Sequence, residues 1–375
     1  MKKITIMALH LGYGGIEKAI ADLSNSLCKY YEVEIISTYK LYDKPINGLD
    51  SSIKVKYLMT DRKPNRTEFI NALKKFKLIT IFKEFIKALI TLYNRKKLMI
   101  KYIKDCKSDI IISTRIFHNN ILTKYGNEKS LRVAWEHNYH NDNKKYIKKL
   151  IKSVRKLDNL VVVSSTLYND YKKLLSESKC KCVFIPNMIS IDVDKLSDVN
   201  NNNLITVSRL SEEKGIFDLI DVVDIVRKKR PDVLLNLIGD GPLFDQVLAY
   251  IKNKNIEDNV HLLGYRKSKD VYKYLKESSL YVMTSYTESF GIALLEAFSF
   301  GVPAIAFDSA NGACEIINSS NGFLISNRNK NLMAQTIIDY LDNKDLRKKL
   351  SIGTQKDLPK YSSECIIVSW KKIFK

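Results

Sequence analysis

Three features of the sequence predict an α/β chain of two doubly wound domains. Short Val/Ile/Leu runs alternate with helical stretches, the alternation restarts after a polar patch, and the length of 375 residues is too great for one ordinary core. Apolar residues make up 45% of the chain, enough for each half to bury a core.

The runs of the first half are Ile4–Leu9, Val33–Ser37, Val55–Met59, Asp109–Ser113, Arg132–Trp135 and Leu160–Ser164. Those of the second are Leu204–Ser208, Val233–Ile238, Val260–Leu263, Leu280–Thr284, Pro303–Phe307 and Gly322–Ile325. Continuous runs of this kind suit strands buried on both faces, as in parallel sheets covered by helices. The polar patch Asp192–Asn203, with its four successive asparagines, is the expected linker. The expected boundaries are therefore a first domain over 1–190, a second over 200–355 and a terminal helix over 356–375. In that helix Ile366, Ile367, Trp370, Ile373 and Phe374 fall at helical spacing and form one apolar face.

The formal net charge is +21, from 62 Lys and Arg against 41 Asp and Glu. Such an excess attracts polyanions: nucleic acid, an anionic membrane or phosphorylated substrates. Part of it lies in a basic helical segment, 62–107. There Leu78/Ile79, Ile81/Phe82, Phe85/Ile86, Leu89/Ile90 and Leu92/Tyr93 recur three to four apart, among Lys74, Lys75, Lys77, Lys83, Lys87, Arg95, Lys96, Lys97, Lys101 and Lys104. The apolar stripe suits either packing on its own sheet or an interface. The one-signed charge, together with a second basic run from Lys144 to Lys156, favours a surface facing an anionic membrane or a lipid phosphate. No apolar run reaches the ~18 residues needed to span a bilayer. The N-terminal run Ile4–Leu9 is too short for a signal peptide and is followed at once by His10 and glycines. A cytoplasmic protein, peripheral on the inner face of the cell membrane, is expected. The six cysteines show no CxxC and no zinc spacing, so they read as core thiols, with no metal and no cofactor.

Four turns carry the chemistry. The strongest is Ser285 through Glu288-Ser289-Phe290-Gly291 to Glu296-Ala297, closed by Gly301-Val302-Pro303. It follows a buried strand, and Gly291 opens a helix whose first N–H groups can hold a phosphate. Glu288 precedes that helix. Glu296, about one and a half turns inside, could accept hydrogen bonds from ribose hydroxyls, or be merely solvated. The second turn, Ser208-Arg209-Leu210-Ser211-Glu212-Glu213-Lys214-Gly215, places two cations where both reach one diphosphate, a task that a metal performs elsewhere. The third is Gly12-Tyr13-Gly14-Gly15, which lets backbone approach a phosphate or sugar but lacks the last glycine of a dinucleotide fingerprint. Gly239-Asp240-Gly241-Pro242 forms a similar tight turn. The fourth is Trp135-Glu136-His137-Asn138, with His137 at a strand's carboxyl end, where such sheets bind ligands.

In combination and order these residues resemble the group-1 (family 4) retaining glycosyltransferases. The resemblance rests on Gly14-Gly15, Glu136-His137-Asn138, Ile185-Pro186-Asn187, Ser208-Arg209-Leu210 through Lys214-Gly215, Gly239 to Pro242, and Glu288 with Glu296, and it covers about Ile4 to Gly322. It implies the GT-B fold, two Rossmann-like domains facing a cleft, with metal-independent catalysis in that cleft. It also implies Arg209 and Lys214 on the donor diphosphate and Glu296 on the ribose. Glu288, with the backbone of Phe290 and Gly291, would lie near the donor sugar. His137 would lie on the acceptor side, and the stretch around Tyr265 near the base. Ser289 and Phe298 stand where many members carry Gly and Met.

The expected activity is transfer of a hexose-type sugar to a lipid-linked or cell-surface polysaccharide acceptor, as in capsule, exopolysaccharide or lipopolysaccharide assembly. A UDP-sugar is the first expectation for the donor and GDP-mannose the second. A sugar-nucleotide epimerase or phosphorylase of the same fold would bind the same diphosphate without needing the basic helix. A nucleic-acid-binding protein would show cations interleaved with exposed aromatics and no ordered phosphate turns, so no nucleic-acid partner is expected.

Overall fold

The computed structural model describes residues 1–61, 70 and 78–375. Two compact units emerge. The first comprises residues 1–163, 167–188 and 367–375, and the second residues 164–166 and 189–366.

The first unit holds a seven-stranded sheet, every neighbouring pair parallel, in the order β3-β2-β1-β4-β5-β6-β7. The strands are β1 (Lys3–Ala8), β2 (Glu32–Tyr39), β3 (Lys54–Met59), β4 (Ile110–Ser113), β5 (Leu131–Glu136), β6 (Asn159–Val162) and β7 (Lys181–Phe184). Ile4, Ile6, Ile35, Ile111, Val133 and Leu160 are all but inaccessible, as continuous apolar strands covered on both faces must be. Each such side chain contributes about 1.5–3 kcal/mol of transfer free energy. β7, with Lys181 and Phe184 exposed, is an edge strand whose composition does not announce it.

The second unit holds six parallel strands in the order β10-β9-β8-β11-β12-β13. They are β8 (Asn203–Val207), β9 (Leu234–Ile238), β10 (Val260–Gly264), β11 (Leu280–Met283), β12 (Ala304–Phe307) and β13 (Gly322–Ile325). In both sheets the strand order reverses beside the first strand, between β1 and β4 and between β8 and β11. Loops leaving the carboxyl ends there diverge and open a crevice. The two units thus form two doubly wound, Rossmann-like α/β domains.

Two details differ from the sequence-based expectation. The unit boundary falls at 188/189, ahead of Asp192–Asn203. That polar stretch belongs to the second unit, because Val199 is buried, the Ser197 hydroxyl donates to Ser278 O at 2.6 Å, and Arg347 donates to Val199 O and Asn201 O. The expected terminal helix 356–375 is also shorter. Residues 356 and 357 finish the helix Lys344–Asp357, a 3-10 turn with Pro359 follows, and the last helix is Ser363–Ile373. The basic segment is helical over Leu78–Asp105, while 62–69 and 71–77, with Lys74, Lys75 and Lys77, lie outside the described residues.

Within Leu78–Asp105 only Thr91, Met99 and Ile103 are buried. Met99 and Ile103 anchor the second half of the helix to its unit, whereas most apolar side chains of the first half are exposed. Leu78 is 78% exposed, Ile79 75%, Phe82 66% and Tyr93 65%, with Phe85, Ile86, Leu89, Ile90 and Leu92 also exposed. Lys83, Lys87, Lys96 and Lys97 are exposed on the same stretch. Among the described residues no helix is long and apolar enough to cross a membrane.

Candidate active site

In the second unit the site grows from the two strands at the switch point. β8 runs into Ser208–Ser211 and a 3-10 turn, Glu212–Lys214; Gly215 then takes a left-handed conformation (φ 61°) and opens the helix Ile216–Arg227. A Cβ on Gly215 would lie 2.2 Å from Thr284 O, so only glycine allows this approach. β11 runs into residues 284–290, and Gly291 (φ 95°) opens the helix Ile292–Ser299.

Hydrogen bonds lock the two turns together. Thr284 Oγ1 donates to Gly215 O at 2.9 Å, and Tyr286 N donates to Glu213 O at 2.9 Å. Lys214 Nζ is 2.5 Å from Glu288 Oε2, with both side chains about four-fifths buried. Arg209 is exposed on the same turn. Glu296 is half-buried in the helix that follows Gly291. Phe290 is buried with its ring edge-on to Tyr361 at 5.7 Å, and Gly312 N donates to Glu288 O at 2.9 Å, which holds the loop from below.

The turn after β9 joins the same edge. Leu210 N donates to Asp240 O at 3.0 Å, and Gly239 N donates to Gly264 O at 2.9 Å, next to half-buried Tyr265. Thus Gly239, Tyr265, Arg209, Lys214, Glu288, Phe290, Gly291 and Glu296 all lie in turns or a helix start at the carboxyl edge of one sheet. Cations, free helix N–H groups and carboxylates collected there can bind a diphosphate and sugar hydroxyls.

In the first unit a second set sits at the carboxyl ends of β1, β4 and β5. Gly14 and Gly15 are exposed and start the helix Gly15–Leu27. Its Glu17 is buried, with Oε1 3.2 Å from Arg115 Nη2 and 3.6 Å from His10 Nδ1. His10 Nδ1 accepts from Gly12 N at 3.2 Å, and burial, reinforced by Arg115 and opposed by Glu17, lowers its pKa. Accepting from the Gly12 amide, Nδ1 is the ring's acceptor nitrogen in this arrangement.

Glu136, at the end of β5, accepts from Asn138 N at 2.7 Å, from Asn138 Nδ2 at 3.1 Å and from the Tyr146 hydroxyl at 3.0 Å. Burial raises its pKa against these bonds. His137 beside it is 7% exposed. Burial, and then the Arg115 charge, lower its pKa to about 3, so the imidazole is neutral. Its ring lies 4.2 Å from that of Trp135, which meets Trp370 edge-on at 5.1 Å. His137 Nε2 is buried and, among the described residues, has no hydrogen-bond partner. A neutral, unengaged ring nitrogen can donate to or accept from a hydroxyl according to its tautomer.

Sequence reasoning did not single out Glu17, Arg115, Asp218 or Arg328. Arg115 lies two residues past the end of a buried strand, a position signal that was available. Its link to Glu17 spans 98 residues and was not.

Comparison with known proteins bears on these turns directly. Residues 187–357 match the family model for glycosyl transferases group 1. The chain is 29% identical over 286 residues to poly(ribitol-phosphate) alpha-N-acetylglucosaminyltransferase of Staphylococcus aureus, covering 73% of this chain and 57% of that one. It is 25% identical over 374 residues to the Campylobacter jejuni N-acetylgalactosamine-N,N'-diacetylbacillosaminyl-diphospho-undecaprenol 4-alpha-N-acetylgalactosaminyltransferase, covering 93% and 92% of the two chains. Among solved structures, a S. aureus TarM mutant in complex with Fondaparinux, alpha-GlcNAc-glycerol and UDP superposes with a TM-score of 0.79 at 19% identity, over 100% of both chains. The matched segment begins just before the second unit and contains both of its switch-point turns; over that segment the chain is similar to the group-1 glycosyltransferases, and its two doubly wound domains have the GT-B fold.

Proposed function

We propose that this protein is a retaining, metal-independent glycosyltransferase that moves a hexose-type sugar from a nucleotide sugar to a lipid-linked or cell-surface polysaccharide acceptor. The observation that carries the reading is the joined pair of turns, with Lys214 2.5 Å from Glu288 and the Gly291 helix start beside them. Arg209 and Lys214 neutralise the departing diphosphate, Glu296 accepts hydrogen bonds from the ribose, and Tyr265 and Gly239 border the nucleotide. Glu288 and the N–H groups after Phe290 and Gly291 hold the sugar. In the transfer the anomeric C–O bond to the diphosphate breaks and a bond from the acceptor oxygen forms on the same face. The hydroxyl proton leaves with the nucleoside diphosphate.

In the first unit Gly14 and Gly15 admit close backbone approach, and the neutral His137 hydrogen-bonds a hydroxyl of the transferred sugar or the acceptor. UDP is the first choice of nucleotide, in keeping with the UDP in the TarM complex, and GDP-mannose the second. A phosphate-bearing acceptor accords with the poly(ribitol-phosphate) and diphospho-undecaprenol named for the two relatives. The exposed stripe Leu78–Tyr93, edged by lysines, docks the protein reversibly on the anionic inner face of the membrane, where such acceptors are held.

A thermal-shift panel of nucleotide sugars in EDTA, followed by product analysis with acceptor, tests this. Stabilisation by one nucleotide sugar and net transfer to acceptor are expected. Interconversion of free nucleotide sugars without transfer supports an epimerase instead. Loss of activity in EDTA that manganese restores ends the metal-independent reading.

A further inference from the structure

Outside the turns already described, one side chain in the second unit has an unusual concentration of contacts. Arg328 ends the short 3-10 turn Ser326–Arg328 after β13, and both Asn327 (φ 57°) and Arg328 (φ 49°) have left-handed backbone. Two successive non-glycine residues in that region are disfavoured and persist only where their surroundings over-determine them.

The surroundings here converge on the guanidinium. Nη1 donates to Ser285 O at 3.0 Å and to Ser309 Oγ at 2.9 Å, while Nη2 donates to Thr284 O at 2.9 Å and to Asp218 Oδ2 at 2.6 Å. Its Cζ lies 3.6 Å from the centroid of the Tyr286 ring and 4.5 Å from that of Phe307. Asp218 also accepts from the Tyr286 hydroxyl at 2.9 Å and from Lys330 Nζ at 3.3 Å.

Asp218 is in the first turn of the helix that Gly215 opens, immediately after Lys214. Thr284, Ser285 and Tyr286 lead into Glu288. One planar cation thus joins the helix that follows the Lys214 turn to the loop that carries Glu288. A fork of this kind fixes direction as well as distance, which an ammonium cannot do.

We infer that Arg328 is a positioning residue for the donor site: it sets the spacing between the Lys214 turn and the Glu288 loop by holding two carbonyls of that loop and the face of Tyr286. This rests on the donor-site reading given above. Arg328 makes no claim on the substrate itself.

The test compares wild type, Arg328→Ala, Arg328→Lys and Tyr286→Ala. Tyr286 is 47% exposed, so its truncation spares the core if Arg328→Ala folds poorly. Amide hydrogen exchange of the unliganded proteins is measured first. In Arg328→Ala, protection over 284–291 should fall by about tenfold while β8 and β11 keep theirs, with Arg328→Lys restoring little and Tyr286→Ala showing a smaller loss. Donor KM should then rise about tenfold, with kcat and acceptor KM changed by less than about threefold. Protection over 284–291 equal to wild type in all three variants overturns the inference, as does full rescue by lysine. A wild-type protein that binds no nucleotide sugar would instead end the donor-site reading and leave the exchange result to decide the role of Arg328.

Discussion

Lys214→Ala separates a catalytic cation from a structural one. In the unliganded protein Lys214 Nζ is 2.5 Å from Glu288 Oε2, with the two side chains 20% and 19% exposed. With both side chains about four-fifths buried, removing the lysine leaves Glu288 unpaired, so the melting temperature should fall, reflecting a loss smaller than the about 3–5 kcal/mol that breaking a fully buried pair costs. Loss of one preorganised donor at a developing charge costs about 2–4 kcal/mol, which lowers kcat/KM by about 30- to 900-fold. Steady-state kinetics with a saturating acceptor and calorimetric melts of the same preparations give both numbers. A fall of less than about threefold in kcat/KM of the folded variant would refute the assignment. Glu288→Gln is the companion variant. It frees the lysine and removes a carboxylate that competes with the diphosphate, so nucleoside diphosphate should bind more tightly while turnover falls.

Stability should fall as pH drops below about 6.5, because burial, aided by Arg115 and for His118 also by Arg95, lowers both His137 and His118 to about 3. Between those values the unfolded chain binds protons that the folded one refuses, at about 1.4 kcal/mol per pH unit for each group. Glu136, raised by burial, works in the opposite sense and offsets part of this below its folded pKa. His118→Gln should flatten the profile in urea melts at pH 7.5 and 5.5, and an unchanged slope would show that His118 does not titrate this way. Trp370→Ala should cost about 3–5 kcal/mol, since its 1%-exposed ring meets Trp135 and Phe374; a melting temperature equal to wild type would contradict that packing. Replacing Lys83, Lys87, Lys96 and Lys97 with Glu should abolish co-sedimentation with anionic vesicles, each lysine contributing about 1 kcal/mol, without changing donor binding. High salt should release the wild type as exposed charge is screened. Equal binding to neutral and anionic vesicles would exclude the electrostatic account.

Sheet strands were legible wherever Val, Ile and Leu ran continuously, because a strand covered on both faces has no polar positions to spare. β7 was not, since Lys181-Cys182-Val183-Phe184 at a sheet edge follows no such rule. The turns that hold Arg209, Lys214 and Glu288 could be placed at strand ends because each directly follows an apolar run. Their mutual contact could not, since Lys214 and Glu288 are 74 residues apart and meet only because β8 and β11 are neighbours. Arg328 was invisible for the same reason: its partner Asp218 is 110 residues away, and no local pattern marks a left-handed arginine. The stripe Leu78–Tyr93 was legible as amphipathic, but periodicity cannot say whether an apolar face finds a partner. Here the anchoring residues Met99 and Ile103 lie nearer the other end of the helix.

The chain contains two tryptophans, and both stand in one aromatic column with His137. Excitation near the red edge of protein absorbance therefore interrogates a single neighbourhood, and the second unit is spectroscopically dark. Emission can follow ligand arrival beside His137, or release of the last helix from Trp135. Melts followed by fluorescence will report the first unit alone, whereas far-ultraviolet dichroism reads both. A difference between the two transition midpoints would be a direct measure of how independently the two units unfold.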